Sequence, residues 1–160
     1  MKKLYAVLLA GLVGLMTWTA PALAGAQSMK QKVVYHVNEN DPKLHAAALR
    51  NIQNHINAVG AENLDLRVVM HGDGLGLVLL PDAIGKGPKF KSGSADMQMQ
   101  ATIDGLKNQG VAFKICANTL KGKAVNPDEH LYNVDKADIV TSGVAELAIL
   151  QGQGYSYIKP

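Results

Sequence analysis

The chain reads as an α/β protein with a five-stranded, mainly parallel sheet and helices on both faces. Three observations predict this. Apolar runs of strand length alternate with amphipathic segments of helix length. The strand runs empty into polar or glycine-rich turns. Parallel neighbours also need long right-handed crossovers, which the intervening helices supply. No internal repeat, low-complexity block or second domain interrupts the pattern.

The chain opens with Lys2 and Lys3, an apolar stretch from Leu4 to Trp18, and the small-residue close Ala22, Leu23, Ala24. That is the three-part pattern of a cleaved secretory signal peptide, of bacterial character. Residues 1–24 are therefore expected to be removed, leaving one domain, 25–160, in the periplasm. No later run approaches the roughly 20 apolar residues that span a bilayer, so no membrane association is expected after cleavage. The signal takes Lys2 and Lys3 from a total of 16 basic side chains, set against 13 acidic ones, so the mature chain carries a net charge of +1. With few and scattered aromatic residues, that balance argues against nucleic acid as a partner.

Lys32 to Val37 (KVVYHV) predicts the first strand. Asp41 then offers an N-cap oxygen and Pro42 a preset φ, so a helix should start there and run to about Gly60. Its Leu44, Ala48, Leu49, Ile52, Ile56 and Val59 fall in one arc, with His45 and His55 projecting into it as core histidines. Leu64 to Met70 (LDLRVVM) predicts the second strand, followed by a tight turn over His71–Gly76. Leu77 to Leu80 is too short for periodicity to decide between helix and strand. Pro81 to Gly93, rich in glycine, proline and lysine, predicts a mobile loop.

Ser94 or Asp96 can cap a helix to about Gln109, which Gly110 ends. Val111 to Ile115 predicts the third strand, and Asn126, Pro127 and Asp128 a turn. Ala137 to Val140 suits a buried fourth strand. Thr141 or Ser142 can cap a last helix, Val144 to about Gln151, before a terminal strand over Tyr155–Ile158. The whole is a single flavodoxin-like domain.

In such a sheet the loops after the strands converge on one edge, where open α/β sheets hold their ligands. That edge gathers Asn38, Glu39, His71, Gly72, Asp73, Cys116, Asn118, Thr119 and Ser142. Cys116 is the only cysteine and cannot form an internal disulfide. It lies where the third strand ends, near the first turn of whatever helix follows, where backbone N–H groups and the helix dipole favour a thiolate. Two readings stay open for it: a nucleophile, or a small buried hydrophobe.

His71 could stabilise that thiolate or shuttle its proton, or simply bond the backbone of its own turn. The GDGLG run from Gly72 to Gly76 lacks the spacing of a phosphate cradle. His71 and Cys116 alone make a weak metal signal, so neither metal nor cofactor is expected. Lys86, Lys89 and Lys91 could draw an anionic sulfur compound to the edge, or form an ordinary solvated loop.

The segments Met70–Leu80 (MHGDGLGLVLL), Gly110–Leu120 (GVAFKICANTL) and Ser142–Pro160 (SGVAELAILQGQGYSYIKP), in that order and spacing, resemble the DsrE/DsrF-like family of sulfur-relay proteins. The likeness extends over Lys32 to Pro160. It implies a flavodoxin-like fold, a homo-oligomer, and a cysteine that carries sulfane sulfur as a persulfide between a donor and an acceptor thiol or protein; that cysteine maps onto Cys116. His71 is then a second catalytic candidate, and Asn38, Gly72, Asp73, Asn118, Thr119 and Ser142 would contact substrate. The competing expectation is a non-enzymatic oligomeric module that binds a small ligand or metal, with Cys116 buried and structural. An unpaired cysteine in a secreted chain also permits a disulfide between subunits.

Overall fold

The computed structural model describes residues 30–160; the signal peptide expected over residues 1–24 lies outside them. Strand β1 is Gln31–Val37, and Asp41 caps helix α1, Pro42–Val59, through its carboxylate, which accepts the N–H groups of Lys43 and Leu44. Burial of Leu49, Ile52 and Ile56 on α1 is worth about 1.5–3 kcal/mol apiece, against about 1 kcal/mol for the cap. Packing therefore holds the helix, and the cap sets where it begins. Leu44 departs from the expected buried arc and is exposed, and His55 is only half-buried at the arc's edge, where it bonds Tyr35 and Gln31.

Strand β2 is Leu64–Met70 and leads into a 3-10 helix over Gly72–Leu77. The expected tight turn is thus a longer coil of six residues. It needs Gly74, because a Cβ there would lie 2.1 Å from the carbonyl oxygen of Val37. Of the undecided segment Leu77–Leu80, Leu77 ends the 3-10 helix and the rest is neither helix nor strand; Leu79 makes a single antiparallel bridge to Leu131. The segment Pro81–Gly93 is a loop, but it is fastened to the body: Ala83 is buried, and the N–H of Lys89 donates to the carbonyl of Lys123 at 2.8 Å.

Helix α2 is Met97–Asn108, capped by Asp96, whose carboxylate accepts the N–H of Met99; Ser94 is instead buried against His45. Strand β3, Ala112–Cys116, includes the cysteine and passes directly into helix α3, Ala117–Gly122. The expected turn at Asn126 is a one-turn helix α4, Pro127–His130. Strand β4 is only Ile139–Val140, because the preceding Lys136–Asp138 forms a 3-10 turn closed by a capping box between Asp135 and Asp138. Ser142 caps helix α5, Gly143–Gly152, and strand β5 is Ser156–Ile158. Tyr155 stays out of that strand; its buried ring donates its hydroxyl to Asp65 at 2.6 Å.

All five strands are parallel, in the order β4-β3-β2-β1-β5. Right-handed crossovers explain the layering. The steps from β1 to β4 all move one way, so α1 and α2 cover one face, over Val33, Tyr35, Val37, Leu66, Val68, Phe113 and Ile115. The return past β1 to β5 reverses direction and lays α5 on the other face, where Leu147, Leu150 and Tyr155 meet Val34 and Val69. Among the described residues no helix is long and apolar enough to cross a membrane.

Candidate functional site

Cys116 is the last residue of β3 and the N-cap of α3. Its register alternates with Phe113 and Ile115, so its side chain turns to the face covered by α5, where it is 5% exposed. Burial pushes the thiol up, but it is outweighed by donors that favour the thiolate: the Thr119 hydroxyl and the backbone N–H groups of Gly143, Thr119 and Asn118. Together they bring Cys116 below its ordinary thiol value. Two helix starts, α3 and α5, thus converge on one sulfur. Thr119 is held for this task, since its Oγ1 accepts the N–H of Gly72 at 2.9 Å and leaves its own proton to donate.

Gly143 makes the convergence possible. A Cβ at this position would lie 2.8 Å from the Cβ of His71 and 3.3 Å from the Cβ of Cys116. Only a glycine lets the first turn of α5 come down between them. Cys116 and His71 therefore flank the same backbone unit.

His71, the first residue after β2, donates its backbone N–H to the carbonyl of Val37. Its Nε2 lies 2.7 Å from Nε2 of His36, and the two rings stack with centroids 4.7 Å apart. His36 Nδ1 in turn shares a 2.7 Å hydrogen bond with the hydroxyl of Tyr157. Burial lowers both histidines. His36 falls to about 4, with His71 and Lys159 as further causes. Both rings are thus neutral at pH 7, and their nitrogen–nitrogen contact requires one to donate and the other to accept. The result is a chain from His71 through His36 to the partly exposed Tyr157.

The other expected site residues divide. Thr119 and Asn118 open the first turn of α3 beside the sulfur and favour its anion, Asn118 through its backbone while its side chain is exposed. Gly72 acts through its N–H on Thr119. Ser142 caps α5 through Ala145 rather than turning to the thiol. Asp73 points away to an ion pair with Lys123. Asn38 backs onto the Gly72–Gly74 turn, and its Oδ1 is buried without a hydrogen-bond partner among the described residues. Of the lysines, Lys86 pairs with Asp82, whereas Lys89 and Lys91 join Lys123 around a separate cavity. His45 is structural: Nδ1 meets Ser94 Oγ at 2.7 Å and Nε2 the Glu39 carbonyl at 2.6 Å. Among the described residues no group of three or more histidine, cysteine or acidic side chains converges as a metal site would.

Sequence reading missed His36 and Tyr157; it put Gly143 on the edge without its part between Cys116 and His71. His36 had one signal, a histidine two residues after Val34 inside a strand and so on the same face. Its partners lie across the sheet, however, with Val69 of β2 and the strand β5 set beside β1 only by the return crossover.

A thiol set at two helix starts on the carboxyl edge of a parallel sheet defines a thiol-bearing α/β protein. The model of the DsrE/DsrF-like family matches residues 32–160, and the chain belongs to that family. Membership points to sulfur relay as the broad class of activity. No curated protein matches the chain. Among solved structures it is similar to MTH1491, a protein of unknown function from Methanobacterium thermoautotrophicum, with 25% identity and a TM-score of 0.64 over 82% of this chain and 100% of that one. The ychN protein from E. coli has the same fold, with 20% identity and a TM-score of 0.56 over 81% of this chain and 99% of that one.

Proposed function

We propose that the protein carries sulfane sulfur as a persulfide on Cys116, in the periplasm after loss of residues 1–24, and works as a homo-oligomer. The observation that carries this reading is the place of Cys116, at the end of β3 and the start of α3 with the first turn of α5 packed against it at Gly143, where the neighbouring N–H groups and the Thr119 hydroxyl favour the anion. In the loading step the Cys116 thiolate attacks the sulfane sulfur of a donor. An Sγ–S bond forms as the donor's bond to that sulfur breaks, and the leaving group departs with the electron pair; with thiosulfate it is sulfite. An acceptor thiolate then attacks the outer sulfur and Cys116 leaves as thiolate, stabilised by the same donors. In this reading His71, which flanks Gly143 opposite Cys116, takes the thiol's proton or returns one, with His36 and Tyr157 behind it.

The test is mass spectrometry of reduced protein incubated with polysulfide or thiosulfate. Wild type should gain sulfur mass and Cys116→Ala should not. No added mass on wild type, or equal mass on both, sinks the reading. N-terminal sequencing of the exported protein should begin at Gly25.

One observation favours the non-enzymatic alternative, a binding module with a structural cysteine: Cys116 is only 5% exposed. Alkylation separates the two. Slow reaction at neutral pH, with a thiol titrating at or above its ordinary value, would favour the module.

A further inference from the structure

One helical turn beyond Thr119 on the same sheet edge, Lys123 borders a second cavity of about 240 Å3, lined by Asn40, Asp73, Lys89, Phe90, Lys91 and Lys123. Asn40 follows β1, Asp73 follows β2, and Lys123 ends the helix that follows β3, so the cavity opens beyond the carboxyl ends of three adjacent strands, where α/β sheets hold ligands. Its walls are tied together. The N–H of Lys89 donates to the carbonyl of Lys123 at 2.8 Å, and Ser92 donates to the side chain of Asn40 at 3.3 Å. The Lys123 ammonium bonds Asp73 and lies 5.1 Å from the Phe90 ring centroid. Three lysines thus line the cavity with one aspartate. Lys89 and Lys91 have no carboxylate partner among the described residues.

We propose that this cavity is an anion subsite for paired negative groups: a free oxoanion of sulfur, or the two carboxylates of a peptide-like thiol. Three lysines against one aspartate leave two positive charges unbalanced, which paired negative groups neutralise, and gathering like charges is unfavourable without them. Phe90 adds an apolar wall and Asn40 a polar side chain. The cavity shares the Gly72–Asp73 turn and helix α3 with the thiol, so an anion bound here lies on the same sheet edge as Cys116. Its part in sulfur transfer rests on the persulfide reading; the binding itself does not.

The test is calorimetric titration of reduced wild-type protein with two unreactive probes, sulfate for the oxoanion and S-methylglutathione for the peptide thiol. At least one should bind saturably. Binding should weaken about tenfold or more in Lys89→Gln/Lys91→Gln, as expected for removing two unit charges beside paired negative groups in a water-facing cavity. It should tighten several-fold in Asp73→Asn, which removes the one competing carboxylate. Sulfate binding alone identifies the oxoanion as the source of the charge, and S-methylglutathione binding alone the thiol. If neither probe binds, or binding is indifferent to both substitutions, the proposal is overturned. Lysine-dependent binding in a protein that never gains sulfur mass would instead remove the sulfur reading and leave the anion site standing.

Discussion

Replacing Gly143 by alanine strikes both halves of the candidate site with one methyl group. The added carbon would sit 2.8 Å from His71 Cβ and 3.3 Å from Cys116 Cβ, whereas non-bonded carbons rest about 3.5–4.0 Å apart. His71 Cβ is fixed to the end of β2 and cannot swing aside, so the start of α5 must lift by roughly 1 Å. Two effects follow. Overpacking of this kind costs about 1–3 kcal/mol, or a fall in Tm of about 5 °C or more for a domain of this size. Lifting α5 also withdraws the Gly143 N–H from the sulfur. A hydrogen bond to a charged group is worth about 1.5–3 kcal/mol, and each 1.4 kcal/mol is about tenfold in an equilibrium. The thiolate fraction at pH values where it is the minor form should therefore drop about tenfold or more. Thermal melting reads the first effect, and the ultraviolet absorbance of the thiolate against pH reads the second. A folded variant whose thiolate titration is unchanged would refute the claim that α5 stabilises the anion, and an unchanged Tm would refute the tight contact.

Thr119→Val keeps the shape but removes the hydroxyl shared by Gly72 N–H and the sulfur; it should cost about 1–3 kcal/mol and raise the thiol's titration, while Thr119→Ser restores both. Urea unfolding and thiolate absorbance check this, and a Val variant indistinguishable from wild type would contradict it. Stability should fall as pH drops from 6.5 to about 4, because His36, His45 and His71 are held neutral by burial while the unfolded chain takes up those protons. Urea midpoints across that range should decline less steeply in His36→Gln, and parallel slopes would count against the assignment. Phe113→Ala, at a side chain 1% exposed, should lose about 3–5 kcal/mol, against about 1 kcal/mol for Asp41→Ala at the cap of α1. Equal losses in denaturant would show that capping, not burial, holds this face together.

Much of the fold was legible because its signals are local. Asp41-Pro42 starts α1 by a cap and a preset φ, and KVVYHV, LDLRVVM and VAFKI are strands by composition. Errors came where a local signal had a competitor. Ser94 has the chemistry of a cap but is held by His45, and the run Ala137–Val140 loses half its length to the Asp135–Asp138 capping box. The site was legible in the same measure. Cys116, Asn118 and Thr119 are consecutive or nearly so, and the end of a strand before a helix brings their backbone N–H groups to the side of the sulfur. Ser142 and Asp73 were grouped with them by topology, but their side chains go to local partners, a helix cap and a lysine.

By itself, then, the sequence determined the alternation of strands and helices, the carboxyl edge as the place where the candidates meet, and Cys116 as the thiol there. Periodicity, caps and strand-end turns are short-range properties that a linear chain carries in full. Only the tertiary structure decided that Gly143 admits a second helix start to the sulfur, that His36 and Tyr157 complete a chain from His71, and that Lys89 and Lys91 meet Lys123 around a cavity. Each of these joins residues tens of positions apart. They are set by the return crossover past β1 and by contacts at or under van der Waals distance, which depend on three-dimensional register rather than on spacing along the chain.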